Sequence, residues 1–219
     1  MDISHKKVLF LGDSITQGVG ASSAETCYVS LFKKAYPNAE IHNFGVGGTR
    51  LARQVNPSAT AVWDDDFNAR ALRMPDNADL TVVFGGTNDY GHGDAPFGEF
   101  GDKTPETFCG AVYALLETLV KKSPLGRILV LTPLHRCSEN NLDCKGKTLL
   151  DYVQVIRKTA EQFSQPVLDL WSVSGINPSI GRTSELMMPD GLHPNDKGHK
   201  LLADKICAYL RARFGGSLL

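Results

Sequence analysis

The stretch VLFLGDSITQGVG, residues 8–20, decides the fold. Four apolar residues run up to Gly12 and stop, and a carboxylate (Asp13) and a hydroxyl (Ser14) follow at once. A run too short for a helix, rich in Leu, Val and Phe and ended by glycine, reads as a buried parallel strand. The same pattern recurs in KVLFL (7–11, overlapping the first), EIHNF (40–44), LTVVF (80–84), RILVL (127–131) and PVLDL (166–170). Segments of helical spacing lie between them. Phe108, Val112, Leu115 and Leu119 share one face of a helix that Thr104 and Pro105 are placed to start. Leu149, Val153, Ile156, Ala160 and Phe163 mark a second helix, and Leu202, Ile206 and Leu210 a last one. Alternation of this kind predicts a three-layer α/β/α sandwich on a mostly parallel sheet of about five strands.

The length of 219 residues suits a single domain over 1–219, with no repeat, linker or low-complexity tract. A net charge of -1 argues against nucleic-acid or polybasic membrane partners. No apolar run reaches transmembrane length. The N-terminal MDISHKKVLFLGD has too short an apolar stretch for a signal peptide, so a cytoplasmic location is expected unless a leader has been removed. Five scattered cysteines do not form a disulfide framework. Cys109 and Cys207 read as small core residues. Cys137 and Cys144 share a polar loop near His135, but a fourth zinc ligand is missing, so no metal and no cofactor are expected.

The loops after the strands carry the chemistry, because open α/β sheets bind ligands at their strand carboxyl ends. These are GDSITQG (12–18), GVGGTR (45–50), GGTNDYGHGD (85–94), TPLHRCSENNLDCKGK (132–147) and a long segment ending in MMPDGLHPND (187–196). A serine hydroxyl needs a base to become a nucleophile, most often a histidine held by a carboxylate. DGLHPND supplies that pair: a turn at Gly191 brings Asp190 to one ring nitrogen of His193 and leaves the other for Ser14. Asn195 or Asp196 is placed to cap the last helix. Donors for an oxyanion are available in the backbone of Gly48, the amide of Asn88 and the N–H of Ser14 itself. His199 reads as a surface residue of the last helix.

The blocks GDSITQG, NFGVGGTR, GGTNDY and DGLHPN occur in this order from Gly12 to Asn195. In this the chain resembles the SGNH hydrolases, the superfamily of the GDSL lipases and esterases. The resemblance implies a flavodoxin-like fold, Ser14 as nucleophile, Asp190 and His193 as its triad partners, and Gly48 and Asn88 as oxyanion donors. It leaves Gly47 as an alternative to Gly48. Asp13 and Asp89 are implied to brace their loops. Ile15 stands where the family name has leucine. Arg50 stands where a small polar residue is common, which points to a substrate preference. Tyr90, Met187, Met188 and Leu192 flank the triad blocks and are expected to line the acyl or leaving-group side. A small-molecule ester, short-acyl such as an acetylated carbohydrate, is the expected substrate. The alternatives are a lysophospholipase or thioesterase of the same superfamily, a nucleotide-binding module, and a carbohydrate-binding protein without activity. No GxxxxGK[ST] supports the nucleotide reading.

Overall fold

The computed structural model describes residues 3–214. Five strands form one sheet: β1 (Lys7–Gly12), β2 (Glu40–Gly45), β3 (Leu80–Phe84), β4 (Arg127–Leu131) and β5 (Val167–Leu168). Their order is β2-β1-β3-β4-β5 and every pairing is parallel. The helices are α1 (Ser14–Gln17), α2 (Tyr28–Ala35), α3 (Phe67–Arg73), α4 (Thr87–His92), α5 (Phe108–Lys122), α6 (Leu149–Gln162), α7 (Leu170–Val173), α8 (Thr183–Met187) and α9 (Asp196–Phe214).

The two-residue period of the strands sorts their side chains into two cores. Leu9, Leu11, Val83, Ile128 and Val130 face a layer that includes Phe67, Leu115 and Tyr152 of α3, α5 and α6. Val8, Phe10, Leu80, Val82 and Leu129 face Tyr28 and Phe32 of α2 and Leu202, Ile206 and Leu210 of α9. Strands covered on both sides need apolar residues at every position, which is why β1, β3 and β4 read as continuous apolar runs. β2 is an edge strand and only half buried, so it keeps His42 and Asn43.

Helix starts follow cap chemistry. Thr107, not Thr104 and Pro105, caps α5: its hydroxyl accepts from the Gly110 N–H at 3.1 Å. Asn195 caps α9, accepting from the Lys197 and Gly198 N–H groups. One expectation is overturned. His199 is fully buried, not on the surface. Its Nδ1 accepts from the Tyr28 N–H at 3.3 Å, and its Nε2 donates to the Val19 carbonyl at 3.2 Å. Burial holds its pKa below the ordinary histidine value, against the Val19 bond and the Asp196 charge. It is thus a neutral core histidine joining α9 to α2.

Candidate active site

Chain order reverses at β1, which has β2 on one side and β3 on the other. That switch point leaves a crevice at the strand carboxyl ends. β1 delivers Ser14, the β2 loop delivers Gly47 and Gly48, and β3 leads into Asn88 on α4. The loop before α9 crosses over them with Asp190 and His193.

Ser14 opens α1, and Asp13 caps that helix, accepting from the Ile15 N–H at 3.0 Å. Ser14 Oγ lies 3.0 Å from His193 Nε2, and His193 Nδ1 lies 2.6 Å from Asp190 Oδ2. The other Asp190 oxygen accepts from the backbone N–H of His193 at 2.6 Å and of Leu192 at 2.9 Å. Partial burial pushes the Asp190 carboxyl up. The hydrogen bonds from His193 and Leu192, with the His193 charge, outweigh this and hold its pKa below the ordinary aspartate value. An ionised Asp190 fixes His193 with its proton on Nδ1, leaving Nε2 free to accept from Ser14. The turn requires Gly191 at φ +75°, and a side chain there would strike the Cys137 sulfur.

The two glycines of the β2 loop differ in a way their sequence does not show. The Gly47 N–H donates to Gln17 Oε1 at 2.7 Å. The Gly48 N–H has no partner among the described residues, and neither has that of Ser14. Gly48 adopts φ +76°, and a Cβ on it would lie 2.1 Å from Trp63 Nε1, so only glycine fits. Asn88 Nδ2 donates one hydrogen to the Thr49 carbonyl at 3.0 Å, which orients the amide and leaves its second hydrogen available.

The loops are tied to one another by groups the sequence reading passed over. Arg70 of α3 donates to the Gly12 and Phe44 carbonyls at 3.0 and 2.5 Å and to Thr49 Oγ1 at 2.7 Å. Burial pulls its pKa down to about 10, against the attraction of Asp65, Asp13 and Asp66. Asn43 donates to the Thr16 carbonyl at 2.8 Å. Asp89 is fully buried and accepts from the Leu51 and Ala52 N–H groups at 3.0 and 2.9 Å. Burial raises the pKa of Asp89 to about 6 and that of Asp13 to about 6, despite these backbone bonds. Arg70 stands three residues after Phe67 and next to Ala71, on the inward face of α3, and a charge at such a helical position was the available signal.

A narrow cleft with about 10 Å³ of accessible space, lined by Asp13, Ile15, Thr87, His135, Arg136 and Leu192 among others, adjoins the peptides that carry Ser14, Asn88 and His193. Of the expected substrate contacts, Leu192 lines this cleft. Arg50 is not: it is 3% exposed and bound to Asp64, Ser58, the Trp63 carbonyl and His92. Met188 is fully buried in the α9-side core, with Met187 packed against that core. Tyr90 is buried in the other core, and its hydroxyl donates to the Ser138 and Asn141 carbonyls. Apolar loop residues next to a triad serve packing as readily as substrate, and here packing takes them. Cys109 and Cys207 are buried, and Cys137 and Cys144 are exposed thiols. No three His, Cys, Asp or Glu residues among those described are grouped to hold a metal ion. His135 instead pairs with Glu139 at 2.8 Å.

A profile of the GDSL-like lipase/acylhydrolase family matches residues 10–201. The chain belongs to that family. Membership makes it a hydrolase of the GDSL/SGNH type. It is 27% identical to a GDSL lipase of Mycobacterium tuberculosis, over 99% of this chain and 86% of that protein. A crystal structure of a protein from Lactobacillus plantarum superposes with a TM-score of 0.83 at 29% identity, covering 97% of this chain and 99% of the other. A possible lipase from Chitinophaga pinensis shares the fold at a TM-score of 0.71 and 21% identity, over 96% and 99% of the two chains.

Proposed function

We propose that this chain is a serine esterase that cleaves carboxylic esters through an acyl-enzyme. Ser14 Oγ attacks the ester carbonyl carbon while His193 Nε2 takes its proton. The resulting imidazolium is stabilised by the Asp190 carboxylate. The N–H groups of Ser14 and Gly48 and the side-chain amide of Asn88 hold the tetrahedral oxyanion. His193 returns the proton to the leaving alcohol as the C–O bond breaks. Water then attacks the acyl-enzyme, giving its proton to His193, and Ser14 leaves with that proton restored as the acid departs.

The observation that carries this reading is the unbroken chain Ser14–His193–Asp190 at 3.0 and 2.6 Å, beside two backbone N–H groups without partners. Two backbone donors left free beside a nucleophile are available to an oxyanion that forms there. Gly48 is preferred over Gly47 because the Gly47 N–H is already committed to Gln17. The space enclosed next to Ser14, about 10 Å³, offers no room for a long buried acyl chain, which favours short acyl groups such as acetyl.

The test is Ser14→Ala against wild type on p-nitrophenyl acetate, with a serine-reactive phosphonate as active-site titrant. Turnover should fall by at least about 10⁴-fold and labelling should vanish, while the circular dichroism spectrum stays unchanged. A variant that still turns over at the wild-type rate removes Ser14 from the mechanism. A p-nitrophenyl series from acetate to palmitate checks the chain-length preference, with kcat/KM expected to fall beyond butyrate.

A further inference from the structure

Arg136 stands in the loop after β4 and lines the cleft with Asp13, Thr87 and Leu192. Those three residues adjoin, in sequence, Ser14, Asn88 and His193. Arg136 Nη1 bonds Thr87, the residue before Asn88, and the Cys137 N–H donates to the Gly191 carbonyl at 2.8 Å. This loop therefore runs between the start of α4 and the turn that carries His193, and the guanidinium charge is felt by both Asp13 and Asp190.

Its hydrogen bonding is incomplete. Nη1 donates to the Thr87 carbonyl at 3.1 Å and to Thr87 Oγ1 at 3.2 Å, both neutral oxygens. Nε is buried without a partner, and Nη2 makes no hydrogen bond among the described residues. The Tyr90 ring, 5.6 Å from Cζ, covers one side. No carboxylate among the described residues lies within ion-pair distance. The neighbouring acids are committed elsewhere: Asp190 to His193, Glu139 to His135 and to the Arg136 backbone N–H, and Asp13 to the Ile15 N–H. Arg50 and Arg157 share the buried, unpartnered Nε but, unlike Arg136, pair with Asp64 and Asp169 at 2.9 and 2.7 Å. A guanidinium cannot shed its proton to escape burial, so an unpaired one at a cleft wall is poised for an incoming anion.

We infer that Arg136 is a selectivity residue that recruits substrates carrying a carboxylate or phosphate beside the ester, an inference that rests on the esterase reading above. Nη2 is the donor left for an incoming oxyanion, since Nη1 is held by Thr87 and Nε is buried. A competing role would be purely positional. Through Thr87, Arg136 helps to hold the start of α4 and thus Asn88, and in that case the charge of the substrate is irrelevant.

Two matched pairs of esters separate these. On the acyl side, p-nitrophenyl hemisuccinate is compared with p-nitrophenyl butyrate. On the alcohol side, 4-acetoxybenzoate is compared with its methyl ester. In wild type at low salt, one anionic partner should exceed its neutral match in kcat/KM by about tenfold or more, the scale of a hydrogen bond to a charged group. That ratio should shrink as salt rises. Arg136→Gln should bring it to within about twofold of unity, and Arg136→Lys should retain part of it. If wild type shows no anionic preference in either pair, or Arg136→Gln leaves the ratio unchanged, the inference is overturned. A parallel loss on anionic and neutral esters alike makes Arg136 a positioning residue and overturns it too. Should Arg136→Gln fail to fold, the Arg136→Lys ratio and the wild-type salt dependence decide. Absence of any neutral-ester hydrolysis together with failure of Ser14 to take the phosphonate is a different result: it sinks the esterase reading first, and this inference with it.

Discussion

Replacing Asp13 with asparagine separates what its charge costs from what its shape provides. The asparagine oxygen can still accept from the Ile15 N–H, so the cap on α1 survives. The negative charge does not. Burial raises the Asp13 pKa from 3.8 to about 6, against the pull of the Ile15 N–H and of His193 and Arg70. A difference of about 2.2 in pKa, at 1.36 kcal/mol for each, is a cost of about 3 kcal/mol for the ionised native state. The folded protein binds this proton more tightly than the unfolded chain. Its favourable contribution is therefore fully present below pH 3.8 and is lost as pH rises through about 6. Wild type should lose about 3 kcal/mol relative to Asp13→Asn between pH 3 and pH 7.5, most of it between pH 4 and 7. Urea titrations of both proteins at six pH values measure this; titrating groups away from Asp13 cancel in the difference, whereas His193 and Asp89, which feel its charge, add a smaller change of their own. A flat difference, or one of opposite slope, refutes the burial argument. The variant should also be the slower esterase, because His193 loses a neighbouring negative charge that favours its imidazolium.

Asn88→Ala should lower kcat by about 10²–10³, roughly 2.7–4 kcal/mol, with KM nearly unchanged, since the amide is offered to the tetrahedral state more than to the ground-state carbonyl. Active-site titration with a melting curve checks it; an unchanged kcat with a lowered Tm would leave Asn88 only a structural role through Thr49. His199→Ala should leave the pH–rate profile in place and destabilise the fold by about 2–4 kcal/mol, because it empties a buried site and orphans the Tyr28 N–H. Loss of the ascending limb of the profile in that variant, and not in His193→Ala, would mean that the base is misassigned.

The five strands and the main helices were legible because burial on both sheet faces imposes a simple rule on every position. Val8 and Phe10 face one helical layer and Leu9 and Leu11 the other, so all four must be apolar. The meeting of Ser14, His193 and Asp190, proposed above as a triad, was legible for a related reason: few residue types can perform each proposed role, and the loops that carry them follow strands. Substrate contacts were not. Arg50, Tyr90 and Met188 have the chemistry of binding residues, but each is spent on holding a loop or filling a core. Which side of a loop faces the cleft depends on backbone turns that no spacing encodes. The Gly47–Gly48 ambiguity has the same origin. Only the position of Gln17, a turn of chain away from Ser14, reveals that the Gly47 N–H is taken. Arg136 was passed over because a lone arginine in a polar loop looks like solvated surface until its partners are counted.

The buried charges of the site make sense as a restraint on motion. The proposed oxyanion donors come from three loops, and each loop alone would be soft. Asp89 fastens the β2 loop to α4 by two backbone N–H bonds, Thr49 fastens Asn88, and Arg70 clamps the ends of β1 and β2 together. Each of these groups is costly to bury, as the raised Asp89 pKa of about 6 records. Neutral residues of similar size would stabilise the fold more, but they cannot hold three backbones at once. A donor that must not reorganise as charge develops needs such a frame, since reorganisation at that moment would return as barrier height. The same reasoning explains why Asp13, on the peptide before the nucleophile, keeps its acid: it fixes α1 through the Ile15 N–H and places a negative potential near His193.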